Sequence, residues 1–249
     1  MVIPVYPGEV PSLSTAQMVE VDRLMIEKYR IELIQMMENA GRNLAHLSRT
    51  RFLGGDPSDK SVIVAAGSGG NGGGALVCAR RLANWGADVW VVLTRPSEAY
   101  SGVTAHQLDV LQRMNVPVAQ AEEMSAIDAG SGADLIVDGI IGYSLSGAPR
   151  GSAALLIHWA NEQPAPILAL DTPSGLETTS GTAFDPTVRA TATLTLALPK
   201  SGLREAEAEA FTGELYLADI SVPPALYADP SVGLVVGRLF AESDIIRLA

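Results

Sequence analysis

Nine residues, Gly67-Ser68-Gly69-Gly70-Asn71-Gly72-Gly73-Gly74-Ala75, separate the apolar run Ser61–Ala66 from the helical pattern Leu76-Val77-Cys78-Ala79-Arg80-Arg81-Leu82. A turn this rich in glycine, between a buried strand and a helix, is a corner at which α/β proteins hold anions. Without Cβ atoms its N–H groups can converge on a phosphate, with the positive end of the following helix behind them. Gly67, Gly69 and Gly72 satisfy G-x-G-x-x-G. The acidic residue expected about 20 positions on is missing, because the next strand, Asp88–Leu93, runs into Thr94-Arg95-Pro96. No Lys-Ser or Lys-Thr closes the loop, which excludes a P-loop. A bare strand-to-helix turn has no use for a polar side chain at Asn71.

From Ser61 onward, short apolar runs alternate with helical patterns, the signature of a parallel sheet wrapped by helices. Strands are expected at Ser61–Ala66, Asp88–Leu93, Val116–Ala119, Asp134–Asp138, Ile167–Leu170, Ala192–Leu196 and Gly213–Ala218, with Gly233–Val236 as a last edge strand. The residues before them form two helices. Ser14 and Gln17 make a capping box for the first, whose Met18, Val21, Leu24 and Met25 recur at helical spacing. The second, about Ile31 to Arg49, has Leu33, Ile34, Met37, Ala40, Leu44 and Leu47 on its expected buried stripe. Glu38 and Asn39 beside that stripe either line a pocket or bond another helix.

The net charge of −11 leaves no clustered cations to neutralise nucleic-acid phosphates, so nucleic acid is excluded as a partner. No apolar stretch reaches the roughly 18 residues of a membrane span, and Met1 to Pro11 lacks the order of a signal peptide. A cytoplasmic protein is expected. Cys78 is alone and reads as a buried packing residue. His46, His106 and His158 fall in helical patterns away from every strand end, and read as surface or packing residues. Asp219, Asp229, Glu242 and Asp244 near the C-terminus read as solvated surface.

Parallel sheets bind ligands beyond the carboxyl ends of their strands. Three such ends carry polar chemistry. Asp138 leads into a second glycine loop from Gly139 to Gly151 with one cation, Arg150; Asp171 leads into Thr172-Pro173-Ser174-Gly175; and Leu198 leads into Pro199-Lys200-Ser201-Gly202. An aspartate closing an apolar strand is costly to bury without a partner. Asp138 and Asp171, with the Ser174 hydroxyl and the Asn71 amide, either form a hard-oxygen cluster for a small cation or brace loops and cap helices. The lack of a His or Cys cluster argues against zinc or iron.

These residues resemble the YjeF N-terminal domain family over nearly the whole chain. The likeness rests on Met37-Glu38-Asn39-Ala40-Gly41, the first glycine loop, Val137-Asp138 with the loop after it, Asp171-Thr172-Pro173-Ser174-Gly175-Leu176, and Ala197-Leu198-Pro199-Lys200-Ser201-Gly202-Leu203. The resemblance implies a three-layer α/β/α Rossmann-like sandwich with a mostly parallel central sheet. It also implies one domain over residues 1–249, with a helical segment at 12–52 packed on the α/β core. The activity it implies is epimerisation between the R and S forms of hydrated NADH and NADPH, an isomerase reaction that repairs the nicotinamide nucleotide. A homodimer, and a separate ADP- or ATP-dependent dehydratase acting alongside it, are the implied partners.

By the same resemblance Asn71, Asp138 and Ser174 fall on positions that bind a potassium ion. Gly70, Asn71, Gly72, Gly73 and Gly74 of the first loop fall on substrate-contacting positions. So do Gly142, Tyr143, Ser144, Leu145, Ser146, Gly147 and Ala148 of the second loop, and Asp171, which is also the implied acid/base. The family's first loop reads Asn-Asn-Gly-Gly-Asp-Gly where this chain has Gly70-Asn71-Gly72-Gly73-Gly74-Ala75. The alternative function is therefore a non-catalytic nucleotide-binding or interaction protein derived from the same family.

Overall fold

Alternate residues of β2 (Ser61–Ala66) serve two different cores. Val62, Val64 and Ala66 pack with Leu76, Cys78, Leu108 and Leu111 on one face, and Ile63 and Ala65 pack with Leu156, Ile157 and Ala160 on the other. A strand buried on both faces needs a helical layer on each side. The computed structural model, which describes residues 3–126 and 132–248, has those layers. The first is built from α2 (Leu33–Leu47), α3 (Gly70–Asn84) and α4 (Gly102–Arg113), and the second from α5 (Gly151–Glu162). The ends of the expected 1–249 span, residues 1, 2 and 249, lie outside the described residues, as do 127–131.

Between the layers runs a nine-stranded sheet in the order β1-β9-β8-β7-β6-β5-β2-β3-β4. Its strands are β1 (Val5–Tyr6), β2, β3 (Asp88–Leu93), β4 (Val118–Gln120), β5 (Leu135–Gly139), β6 (Ile167–Leu170), β7 (Ala192–Leu196), β8 (Glu214–Ala218) and β9 (Ile245–Leu248). Every pairing is parallel except β8 with β9. The chain winds outward from β2 in both directions, so the switch point of the topology lies between β2 and β5. Gly67 N–H donates to the Gly139 carbonyl there at 3.0 Å, joining the two glycine loops.

The helix α1 (Thr15–Glu27) begins at Ser14 with the expected capping box, and Met18, Val21, Leu24 and Met25 are all buried. It packs with Leu217, Ile246 and Leu226 in a third core near the β8–β9 edge. α2 crosses α3 at very close range: a Cβ on Gly41 would fall 2.4 Å from the Gly74 carbonyl oxygen, so only glycine fits that crossing.

Several sequence expectations are corrected. Leu33 and Ile34, in the first turn of α2, are exposed at 38% and 37%, and the buried stripe begins at Met36. The strand expected at Val116–Ala119 is Val118–Gln120; Pro117 precedes it and, having no N–H, contributes only its carbonyl, to Val91. β5 begins and ends one residue later than expected. Gly213 adopts φ +57° and closes a turn instead of opening β8. Gly233–Val236 is not a strand, and Val235 is 92% exposed; the edge is supplied by Ile245–Leu248 and the short Val5–Tyr6. Asp229 and Asp219 are partly buried, Asp229 pairing with Lys28 at 2.6 Å and Asp219 accepting from Ser221 N–H at 2.6 Å.

Candidate active site

The switch point opens into a cavity of about 590 Å³. Its floor is the β2–α3 turn, Gly67 to Asn71, where the N-cap Gly69 offers no side chain and the first N–H groups of α3 are left for a ligand. One wall is the second glycine loop, Ile140 to Ser144. Asp171 and Leu196, at the ends of β6 and β7, form another, and Met18, Ile26, Leu33, Met36 and Met37 of the N-terminal helix pair close the cavity with apolar side chains. The result is a mostly apolar site with few polar groups, which suits a large ring-bearing ligand.

Asp171 is the most constrained residue of the site. It adopts φ +65°, a left-handed conformation costly for a residue with a Cβ, immediately after β6. Its N–H donates to Leu194 O at 2.8 Å, and its carboxylate accepts from Leu196 N–H at 3.3 Å and from the ammonium of Lys200. Lys200 is fully buried and also donates to Leu196 O at 2.9 Å and toward Thr195 Oγ1 at 3.4 Å. Ala197, next to Leu196, is left-handed as well, at φ +62°. Two adjacent strand ends are thus bent to bring Lys200 under Asp171.

Asp138 lies behind the cavity wall and is buried. Its carboxylate accepts from Ser174 Oγ at 2.6 Å, Ser174 N–H at 2.8 Å and Ile140 N–H at 3.1 Å. Burial nevertheless pushes its carboxyl up to about 6, with those three donors working the other way. Ser174 Oγ in turn accepts from Ile141 N–H at 2.8 Å. Asn71 packs against the same loop, since a Cβ on Gly142 would lie 3.2 Å from Asn71 Cβ and one on Gly139 3.4 Å from Asn71 O. The Asn71 amide Nδ2 is buried without a hydrogen-bond partner among the described residues.

Of the residues expected at the site, Gly70, Asn71, Gly74, Gly142, Tyr143, Ser144 and Asp171 line the cavity. Gly72 and Gly73 do not. A Cβ on Gly72 would fall 1.7 Å from Gly67 O and one on Gly73 2.6 Å from the Met37 sulfur, so these glycines let the first turn of α3 pack. Leu145, Ser146, Gly147 and Ala148 also stay outside the cavity lining. Glu38 resolves as an inter-helix anchor: both of its oxygens accept from Arg80 at 2.7 Å, and Gln107 donates to it at 3.2 Å. His46 packs against Trp85 with the two rings tilted, His106 and His158 are exposed, and none of the three lines the cavity.

Sequence reasoning missed Asp22. It lines the cavity from α1, and Tyr143 Oη donates to its Oδ2 at 2.5 Å. One signal was available: Asp22 stands four residues after the buried Met18, an acid on the helix face that turns inward. Lys200 and Asp171 are each legible as parts of strand-end motifs, but their pairing is not.

A profile of the family described as YjeF-related protein N-terminus matches residues 33–202. An NAD(P)H-hydrate epimerase of Dehalogenimonas lykanthroporepellens is 44% identical over 209 residues, covering 84% of this chain and 81% of the relative. The bifunctional NAD(P)H-hydrate repair enzyme Nnr of Moorella thermoacetica is 37% identical over 87% of this chain, which spans 41% of that longer protein. The crystal structure of yeast YNL200c superposes with a TM-score of 0.82 at 25% identity, covering 96% of this chain and all of that one. With its α/β architecture, its switch-point cavity and a matched span of more than half its length, the chain belongs to the YjeF-related protein N-terminus family.

Proposed function

We propose that this protein is an NAD(P)H-hydrate epimerase, an isomerase that interconverts the R and S forms of hydrated NADH and NADPH. The observation that carries the reading is Asp171, left-handed and ion-paired to a buried lysine at the wall of a cavity whose floor is a helix N-terminus. The N-terminal amides of α3 suit a pyrophosphate, and the apolar side chains of α1 and α2 suit a ring. In the hydrated nicotinamide, the carbon that carries the added hydroxyl is bonded to the ring nitrogen. The hydroxyl can therefore leave as water once protonated, with the nitrogen lone pair forming a C=N bond, and water can return to the other face. Asp171 is the group we assign to proton transfer at that hydroxyl.

The residues also fit a potassium ion. Asp138, Ser174 and Asn71 offer only oxygen ligands once the Asn71 amide is turned through 180°, which puts Oδ1 in the partnerless place of Nδ2. No group of three or more His, Cys, Asp or Glu side chains among the described residues suits a transition metal. Such an ion would compensate the buried Asp138 carboxylate and fix the two glycine loops against each other. The exposed Val19, Ile26, Leu33 and Ile34 on α1 and α2 support a homodimer. The fused repair enzymes among the relatives support coupling to a separate ADP- or ATP-dependent dehydratase, and we place the protein in the cytosol with its substrate. No helix among the described residues is long and apolar enough to cross a membrane.

The test follows the R-to-S conversion of hydrated NADPH in potassium buffer, with the wild type and Asp171→Asn. A wild-type rate well above the spontaneous one, lost in the variant, supports the reading. A wild type that is thermally stabilised by the dinucleotide without any turnover would replace it with the non-catalytic binding protein.

A further inference from the structure

Inverting the hydrated carbon moves a hydroxyl from one face of the ring to the other. The face that releases water needs an acid, and the opposite face needs a base for the incoming water. Asp171 is held by Lys200, by the Leu194 and Leu196 backbone and by its own left-handed conformation, so it can serve only one face of a bound ring. A second proton-handling group must come from another part of the cavity wall.

Among the described residues, three titratable side chains line the cavity: Asp171, Asp22 and Tyr143. The second and third are joined, with Tyr143 Oη donating to Asp22 Oδ2 at 2.5 Å, while Asp22 Oδ1 has no hydrogen-bond partner among the described residues. They come from different elements, α1 and the loop after β5, and α1 precedes the span matched by the family profile. Tyr143 is steadied from behind, its backbone oxygen accepting from Thr178 Oγ1 at 3.2 Å. The charged and titratable groups acting on Asp22 are Tyr143, Lys200 and Asp171. Burial raises its carboxyl and the Asp171 charge adds to this, while the Tyr143 hydrogen bond and Lys200 oppose it; the balance lies above the ordinary range. Asp22 thus holds a proton more readily than an ordinary aspartate, in the same cavity as the ion-paired Asp171.

We propose that Asp22, together with the Tyr143 hydroxyl, is the second proton-handling group of this cavity and serves the ring face opposite Asp171. The proposal rests on the epimerase reading. In one direction Asp22 gives its proton to the departing hydroxyl as the C–O bond breaks, and the nitrogen lone pair forms the C=N bond. Water then bonds to the carbon from the Asp171 side, the C=N electrons return to nitrogen, and the Asp171 carboxylate takes the proton. The net change is one hydroxyl moved across the ring and one proton moved from Asp22 to Asp171, which exchange with solvent resets. The reverse reaction uses the same groups in opposite roles.

The experiment uses the full chain, each epimer of hydrated NADPH, and water labelled with heavy oxygen. It compares wild type, Asp22→Asn, Tyr143→Phe and Asp171→Asn, recording inversion and label exchange separately. Asp22→Asn is expected to lower kcat for inversion about 100-fold with KM changed less than about threefold. In that variant, label exchange without inversion should persist in the epimer whose hydroxyl faces Asp171, because Asp171 can still release and recapture water on its own side. Tyr143→Phe should lose less than Asp22→Asn. Wild-type inversion in Asp22→Asn, or loss of exchange and inversion together with a lowered Tm, overturns the proposal and leaves the epimerase reading standing. A wild type that neither inverts nor exchanges overturns that reading, and the proposal with it.

Discussion

The ammonium of Lys200, fully buried, is ion-paired with the carboxylate of Asp171, 5% exposed, at the junction of β6 and β7. Removing one partner of a buried pair strands the other charge, at a cost of about 3–5 kcal/mol. Asp171→Ala and Lys200→Met should each destabilise the fold by about that amount. The double variant should cost much less than the sum of the two, because no charge is then left alone. Urea denaturation of the four proteins checks this. Additive effects would show that the two groups do not depend on each other for burial.

Where the resemblance implies an aspartate this chain has Gly74, and Leu170 and Ala40 lie beside it. A Cβ on Gly74 would fall 2.8 Å from Leu170 Cδ2 and 3.7 Å from Ala40 Cβ, with Leu170 fully buried. Gly74→Asp alone should therefore destabilise by about 1–3 kcal/mol through overpacking. The combination with Leu170→Val should recover most of that loss and seat the carboxylate in the cavity. Denaturation midpoints decide the first point, and epimerase rates of the paired variant the second.

Burial in the core between α3 and the sheet pushes the Cys78 thiol up to about 12, against the smaller opposing effects of Ser48 and Arg81. A thiol this far from ionisation is unreactive at neutral pH. The native protein should leave a thiol-specific chromogenic reagent unreacted for hours at pH 8, and should react fully once unfolded in guanidinium. Rapid reaction without denaturant would show that α3 opens readily.

Glu214 fastens β8 to its neighbours. Its carboxylate accepts from Arg51 Nε at 2.9 Å and from Tyr216 Oη at 2.7 Å, and lies 3.7 Å from Arg247. The Arg51 hydrogen bond, more than the others, lowers its carboxyl from 4.5 to about 2. A depressed carboxyl stabilises the fold fully above pH 4.5, and the contribution is lost as the pH falls toward 2, where the folded form too takes up the proton. Glu214→Gln should cost about 1 kcal/mol or less at pH 7, since the pair is partly exposed. The difference from wild type should vanish near pH 2. Thermal unfolding of both proteins across that range checks the sign.

How far the sequence reveals the site depends on the range of each interaction. Asp138 and Asp171 could be singled out because a carboxylate closing an apolar strand is a local anomaly, visible within five residues. Gly72 and Gly73 look the same in sequence as Gly70 and Gly74. Only the packing of α3 on Gly67 and Met37 separates Gly72 and Gly73, which fill contacts, from Gly70 and Gly74, which line the cavity. Asp22 lies 121 residues from its hydrogen-bond partner Tyr143, and nothing in the α1 sequence specifies that the loop after β5 will come to meet it.

The sequence by itself determined the class of fold and the placing of its chemistry. Strand and helix periodicities, the capping box at Ser14 and the glycine turn after β2 are set by neighbouring residues, and a parallel sheet puts its loops on one edge. Tertiary structure decided what those loops do. Strand order brought Lys200 under Asp171, the first turn of α2 left Leu33 and Ile34 exposed, and the C-terminal Ile245–Leu248 closed the sheet antiparallel. The physical reason is that backbone conformation is governed by local sterics and hydrogen bonding. Which charge meets which, and which apolar group lines the cavity, follows from the order in which distant segments pack.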